Sequence, residues 1–298
     1  MRQFVSETAL DSDGCIRIGG EKFHYLSAVL RLVPGDMLYV RLPDGELQQM
    51  TVARVDASDR TMLLSLAGTD ARNRPASVSS AKAAPIEKSC CFHFHLFQCI
   101  PKPPKFDLII RQATECGVST ILPVAGEFCQ KGNVESAVRK SSPQDTRWGK
   151  IITEAREQSG SPVQTEVLPC RDFAAACELW KNGTLGNSPV RMAFVLYERT
   201  EGTLPIHRAV AAALTVAAAF PGVQQTEPLK SGPETADIAV MVGAEGGISP
   251  SELEKAKEAG FIPVHLETNI LRCETAALYG LATLQNAVME SDIWKLKE

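Results

Sequence analysis

From residue 90 onward the chain alternates short apolar runs with helix-like stretches, and that alternation constrains the fold more than any other feature. "CCFHFHLFQCI" reads as a strand, "KFDLIIRQATECG" as a helix ending at Gly117, and "VSTILPVAG" as a strand. "TRWGKIITEAREQSG" reads as a helix ending at Gly160, "RMAFVLYE" as a strand and "IHRAVAAAL" as a helix. "DIAVMVG" and "PVHLE" follow as strands, each leading into a helix. Parallel strands need long crossovers, so this pattern argues for a mostly parallel sheet covered by helices on both faces.

The first 68 residues have a different texture. "CIRIGG", "MLYVRL", "QMTVARV" and "MLLSLAG" are short runs of β-branched and apolar residues between Gly, Pro and Asp turns. One helix-like piece, "EKFHYLSAVLRLVPGD", carries Phe23, Leu26 and Leu30 at helical spacing and stops at Pro34-Gly35. Residues 1–68 therefore read as a small β-barrel-like module. Residues 69–88, rich in Ala, Ser, Pro and charge, read as a linker, and residues 89–298 as the α/β domain. The Pro/Gly-rich stretch 221–236 reads as a surface loop.

Charge is unevenly spread along the 298 residues. Residues 1–70 carry 7 basic and 10 acidic side chains, residues 71–160 carry 13 and 8, and residues 161–298 carry 11 and 17. A basic middle between acidic flanks is suited to a phosphate backbone, although the same count also fits a mixed solvated surface. No run of 18 apolar residues exists, so no membrane span is expected. "MRQFVSETAL" lacks the apolar core of a secretory signal. Nine cysteines without a CxxC pair fit a reducing cytoplasm better than a disulfide framework.

Two loops carry the chemistry. In "DIAVMVGAEGGISPSELEKAKEAG" a strand ends at Val242, and Gly243, Gly246 and Gly247 follow in the loop. Ser249, Pro250 and Glu252 spell a capping box with Pro at the first helical position, and Gly260 closes the helix. Glycines at the carboxyl end of a parallel strand let backbone approach a ligand. The spacing is neither that of a dinucleotide fingerprint nor that of a P-loop, which speaks against a dehydrogenase. The second loop, "ETNILRCETA", also joins a strand to a helix, here running from about Glu274 to Glu290, and places apolar Ile270 and Leu271 in a loop, where they either cover a ligand or plug the core, with Arg272 then on the surface and Glu274 complementing the helix dipole.

Cys91, His93, His95 and Cys99 alternate along one strand. Their donor types suit a metal, but alternate positions on a flat strand diverge from one tetrahedral centre, so they read as sheet-packing residues and no metal is expected.

"VGAEGGIS", "LETNILRCETAAL", "EAREQSG", "ATECGV" and "HYLSAVLRLVPGD" together resemble the RsmE family, in the same order and over nearly the whole chain. These are SPOUT-class enzymes that methylate N3 of a uridine in 16S ribosomal RNA. The resemblance implies a PUA-like N-terminal barrel, a SPOUT-type trefoil-knotted α/β domain, a homodimer, a cytoplasmic location and S-adenosylmethionine as methyl donor. It also implies a cofactor pocket built from Glu198, Val242, Gly243, Gly246, Gly247, Leu266, Asn269, Ile270, Leu271, Cys273 and Thr275. This chain departs from the family pattern at Ala244 (usually proline), Glu267 (glycine), Cys273 (threonine), Gln112 (lysine), Cys116 (leucine) and Ser161 (arginine). The changes at 112 and 161 remove basic side chains, which Lys102, Lys105 and Arg111 are placed to replace as RNA contacts. His24 and Arg31 are the RNA candidates of the first module, although His24 also reads as a half-buried helix histidine.

Such a reaction is an in-line displacement at an already activated sulfonium, so the protein mainly positions and desolvates. The uridine N3 proton must leave. Arg272 is the candidate for stabilising the resulting charge, Glu274 for accepting the proton, and Glu245 the next choice. The target base must swing free of its neighbours to reach the pocket. A non-catalytic RNA-binding protein of ribosome assembly is the competing reading.

Overall fold

A computed structural model describes residues 3–67, 91–142, 146–218 and 235–289. The expected linker at 69–88 and nearly all of the 221–236 stretch lie outside the described residues. The chain forms two compact units, one of residues up to 86 together with 156–162, the other of the remainder.

The first unit contains β1 (Phe4–Val5), β2 (Cys15–Ile18), α1 (Gly20–His24), a π-helical turn (Tyr25–Val29), β3 (Met37–Arg41), β4 (Leu47–Asp56) and β5 (Thr61–Leu66). The strands make one sheet in the order β1-β3-β4-β5-β2, antiparallel except for the β1–β3 pair. Period-two alternation puts Met50, Val52, Met62 and Leu64 on the inner face, where Phe23 and Leu26 close over them. The helical spacing at 23, 26 and 30 reads as one α-helix, but the chain widens to π after His24. The Leu30 N–H bonds the Tyr25 carbonyl at 2.9 Å, and Ser27 Oγ donates to the Phe23 carbonyl at 2.7 Å. Arg31 ends the segment in the left-handed region at φ 57° and is exposed. His24 is exposed, not half-buried. Ser161, where the family pattern has arginine, is buried in this unit, and its carbonyl accepts from Gln3 Nε2 at 3.1 Å.

The second unit runs β6 (Cys91–Cys99), α2 (Pro103–Glu115), β7 (Thr120–Ala125), α3 (Lys131–Lys140), α4 (Arg147–Ser159), β8 (Glu166–Val167), β9 (Arg171–Asp172), α5 (Phe173–Lys181), β10 (Val190–Leu196), β11 (Leu204–Pro205), α6 (Ile206–Ala218), β12 (Thr235–Val242), α7 (Pro250–Glu258), β13 (Ile262–His265) and α8 (Cys273–Met289). All its strand pairs are parallel, in the order β11-β13-β10-β12-β6-β7-β8 with β9 also on β7. Central strands with both faces covered read as continuous apolar runs, as "TADIAVMV" does. Ile238, Val240 and Val242 face one core with residues of α2, α6 and α8, while Ala239 and Met241 face another with residues of α5 and α7. Burying each large apolar side chain there contributes about 1.5–3 kcal/mol.

Helices α3 and α5 escape the sequence reading. In α5 a signal existed, because Asp172 caps the helix by accepting the Ala175 N–H at 2.8 Å. The capping box of α7 forms as the sequence predicts. Ser249 Oγ accepts the Glu252 N–H at 3.3 Å and Glu252 Oε2 accepts the Ser249 N–H at 3.0 Å. The other carboxylate oxygen of Glu252 accepts the Glu127 N–H at 2.7 Å, tying the loop after β7 to α7. Glu252→Ala is therefore expected to cost about 2–3 kcal/mol in urea unfolding, more than an ordinary cap. A loss under about 0.5 kcal/mol would show that the Glu127 link carries nothing.

His95 does not converge with its alternate neighbours. It reaches sideways, with Nε2 2.8 Å from Asp237 Oδ1, and both side chains are buried. The Cys91 side chain lies outside the described residues, and no cluster suited to a metal ion occurs among the described ones.

Candidate cofactor and catalytic site

A cavity of about 600 Å³ opens at the carboxyl ends of β10, β12 and β13. Three segments wall it: Leu196–Glu198 after β10, Val242–Gly247 after β12, and Leu266 with 268–273 after β13. In an open parallel sheet this is the end where ligands bind. Of the cofactor residues read from the sequence, Glu198, Val242, Gly243, Gly246, Gly247, Leu266, Asn269, Ile270, Leu271 and Cys273 all line it, and Thr275 does not. Thr275 falls on the exposed side of the first turn of α8.

The glycines are required by close approach. A Cβ at Gly243 would lie 2.7 Å from the Gly247 carbonyl carbon, and one at Gly246 would lie 2.6 Å from Phe128 Cβ. The loop folds back on itself through an Ala244–Gly247 bridge, with the Gly247 N–H on the Ala244 carbonyl at 3.0 Å. Gly247 turns at φ 76°, a conformation side-chain-bearing residues rarely adopt, with the Glu198 carboxylate beside it. Ile270 is 85% exposed at the cavity mouth, while Leu271 is half-buried.

Lys105, assigned to RNA from the sequence, lines this cavity. Its Nζ lies 3.0 Å from Glu274 Oε2, 3.4 Å from Glu245 Oε1 and 3.9 Å from Cys273 Sγ. Cys273 Sγ donates to Glu274 Oε2 at 3.2 Å. Burial, with the Glu274 hydrogen bond and the Glu245 charge adding to it, pushes the Cys273 thiol up to about 12, so it stays protonated. Burial works to raise the Glu274 carboxyl, but hydrogen bonds from its own N–H, from Cys273 and from Lys105 outweigh it and pull it below its ordinary value. The Glu274 hydrogen bond raises the Lys105 ammonium against the opposing pull of burial.

Arg272 lines the cavity but is exposed. Lys102 and Arg111 are exposed and do not line it. The backbone N–H of Lys102 holds Glu245 Oε1 at 3.2 Å.

Glycine-backed walls with a few converging charges, at the switch end of a parallel sheet, define an α/β protein that holds a nucleotide-sized molecule. The chain belongs to the RNA methyltransferase domain family, which matches residues 87–285. Over 284 residues it is 26% identical to ribosomal RNA small subunit methyltransferase E 2 of Borreliella burgdorferi, covering 95% of this chain and 96% of that protein. In fold it is similar to a ribosomal RNA small subunit methyltransferase E from Neisseria gonorrhoeae solved with S-adenosyl methionine, at TM-score 0.64 and 22% identity, covering 96% and 97% of the two chains. A putative methyltransferase from Legionella pneumophila, solved in complex with the same cofactor, gives TM-score 0.67 and 21% identity over 96% and 97%. The resemblance read from the sequence motifs is borne out by these relatives.

Proposed function

We propose that this protein transfers a methyl group from S-adenosylmethionine to N3 of a uridine in small-subunit ribosomal RNA. The observation that carries the reading is the glycine-backed cavity beside which Lys105, Glu245 and Glu274 converge.

The cavity fits such a cofactor. Val242, Leu266 and Leu271 offer apolar surface for a flat base, and backbone bared by Gly243, Gly246 and Gly247 offers hydrogen bonds to its edge. Glu198, Glu245 and Glu274 against Lys105 and the exposed Arg272 leave the site one negative charge in excess, which suits a ligand that carries a sulfonium. When bound, that cofactor supplies an activated methyl group. The protein's part is to hold the base in line, exclude water and take up one proton.

The finer reading joins a trefoil-knotted SPOUT domain over 89–298 to a PUA-like barrel over 1–68. Its support is that the loops after β12 and β13, strands flanking β10, meet in one cavity. Exposed His24 and Arg31 in the first unit, with Lys102 and Arg111 in the second, are proposed as RNA contacts, and Arg272 meets the RNA at the cavity mouth. Exposed Tyr279 on the largely apolar α8 supports a homodimer through the second unit. Sedimentation at micromolar concentration is expected to show a dimer, and a monomer alone would remove that element.

The test is calorimetric titration with S-adenosylmethionine, followed by methyl incorporation into small-subunit particles and mass spectrometry of the digested RNA. Binding with label on uridine N3 is expected. Absence of binding refutes the pocket assignment, and label on another atom refutes the substrate.

A further inference from the structure

Three charged side chains converge beside the cavity from three separate segments: Lys105 from the first turn of α2, Glu245 from the loop after β12, and Glu274 from the first turn of α8. The two carboxylates are not equivalent. The Glu274 side chain is 15% exposed, and its Oε2 takes both the Lys105 ammonium and the Cys273 thiol. The Glu245 side chain is 36% exposed. Its Oε1 takes the Lys102 N–H and faces Lys105, while its Oε2 enters no hydrogen bond or ion pair among the described residues. The arrangement is a fixed Lys105–Glu274 pair with a second, open carboxylate beside it.

We propose that Lys105 is a catalytic residue of the methyl transfer. Glu274 positions its ammonium against the target base, where it stabilises the negative charge left when the base nitrogen gives its proton to Glu245. The proposal rests on the function proposed above and deepens it by assigning the proton acceptor and the electrophilic partner. The nitrogen–hydrogen bond breaks with its electron pair left on the base, and the proton goes to Glu245. That pair forms the nitrogen–carbon bond as the sulfur–carbon bond breaks, and the sulfur keeps the second pair. A sulfonium and a carboxylate thus become a thioether and a carboxylic acid, and Glu245 afterwards returns its proton to water. Lys105 stays charged throughout, as its hydrogen bond to Glu274 favours. An ammonium held in place before the charge develops costs no reorganisation during the step. Arg272, exposed at the mouth, lacks such a fixed partner among the described contacts.

The experiment uses the full chain with small-subunit particles as substrate and compares wild type with Lys105→Met, Lys105→Arg and Glu274→Gln. Calorimetry with S-adenosylmethionine and single-turnover methyl transfer across pH are both read. Lys105→Met is expected to keep cofactor affinity within about threefold and to lower kcat by roughly 100- to 1000-fold, the scale for losing one preorganised charge-stabilising group. Its KM for particles should stay unchanged. Its rate should rise more steeply with pH than that of wild type, because the base must then ionise without a cation beside it. Lys105→Arg should recover part of the rate, and Glu274→Gln should mimic a milder Lys105→Met. A raised particle KM with unchanged kcat would make Lys105 an RNA contact and overturn the proposal. So would unchanged kinetics, or a collapse of cofactor affinity matching the loss in rate. A wild-type chain that fails to bind S-adenosylmethionine at all would instead overturn the function proposed above.

Discussion

Gly243→Ala is expected to weaken S-adenosylmethionine binding by about 5- to 30-fold, about 1–2 kcal/mol. The added methyl carbon would lie 2.7–2.9 Å from three backbone atoms of Gly247, and backbone cannot rotate aside as a side-chain tip can. Relief requires opening the Ala244–Gly247 bridge, and both residues line the cavity. Overpacking of this kind costs about 1–3 kcal/mol. Part of it should appear as lost affinity and part as a lower urea midpoint of the unliganded chain. Calorimetry on the variant checks it, and affinity within threefold of wild type would mean the loop does not form the cofactor wall.

The second large effect is on stability. Asp237→Ala is expected to cost about 3–5 kcal/mol at pH 7, because removing one member of a buried polar pair leaves the other uncompensated. Asp237 Oδ1 lies 2.8 Å from His95 Nε2, and Oδ2 accepts the Ser188 N–H at 2.7 Å. Burial disfavours the Asp237 charge, but the hydrogen bonds from His95 and Ser188 outweigh it and lower the carboxyl to about 2. A depressed folded value stabilises above the unfolded value near 4 and stops stabilising as pH falls through the folded one. Wild type should therefore lose this contribution between about pH 4 and 2, and the Ala variant should lose less over that window. Urea unfolding at pH 7 and along an acid series measures both. A loss at pH 7 below about 1 kcal/mol, or parallel acid curves, would show the pair to be energetically idle.

Local chemistry explains what was readable beforehand. The strand–helix alternation, the Ser249–Glu252 capping box, the glycine stops at 117, 160 and 260, and the glycine loop at 243–247 depend on neighbours within a few residues, so sequence spacing carries them. Helix α3 was missed because "KGNVESAVRK" has few apolar side chains and a glycine in its first turn. The π-helical turn at 25–29 was missed because apolar spacing of 23, 26 and 30 does not distinguish a bond to the fourth from one to the fifth preceding residue.

The sequence by itself determined the parallel α/β character of the second unit and two of the loops that wall the cavity, and ten of the eleven residues implied by the family resemblance line it. Only the tertiary structure decided the roles of the charges. Lys105 lies 140 and 169 residues from its partners Glu245 and Glu274, so no local pattern could turn it from an apparent RNA contact into a cavity side chain. His95 and Asp237, 142 residues apart, likewise become a pair only where β6 lies beside β12. Charge interaction falls with distance in space and depends on burial, and neither quantity exists until strands distant in sequence are laid side by side.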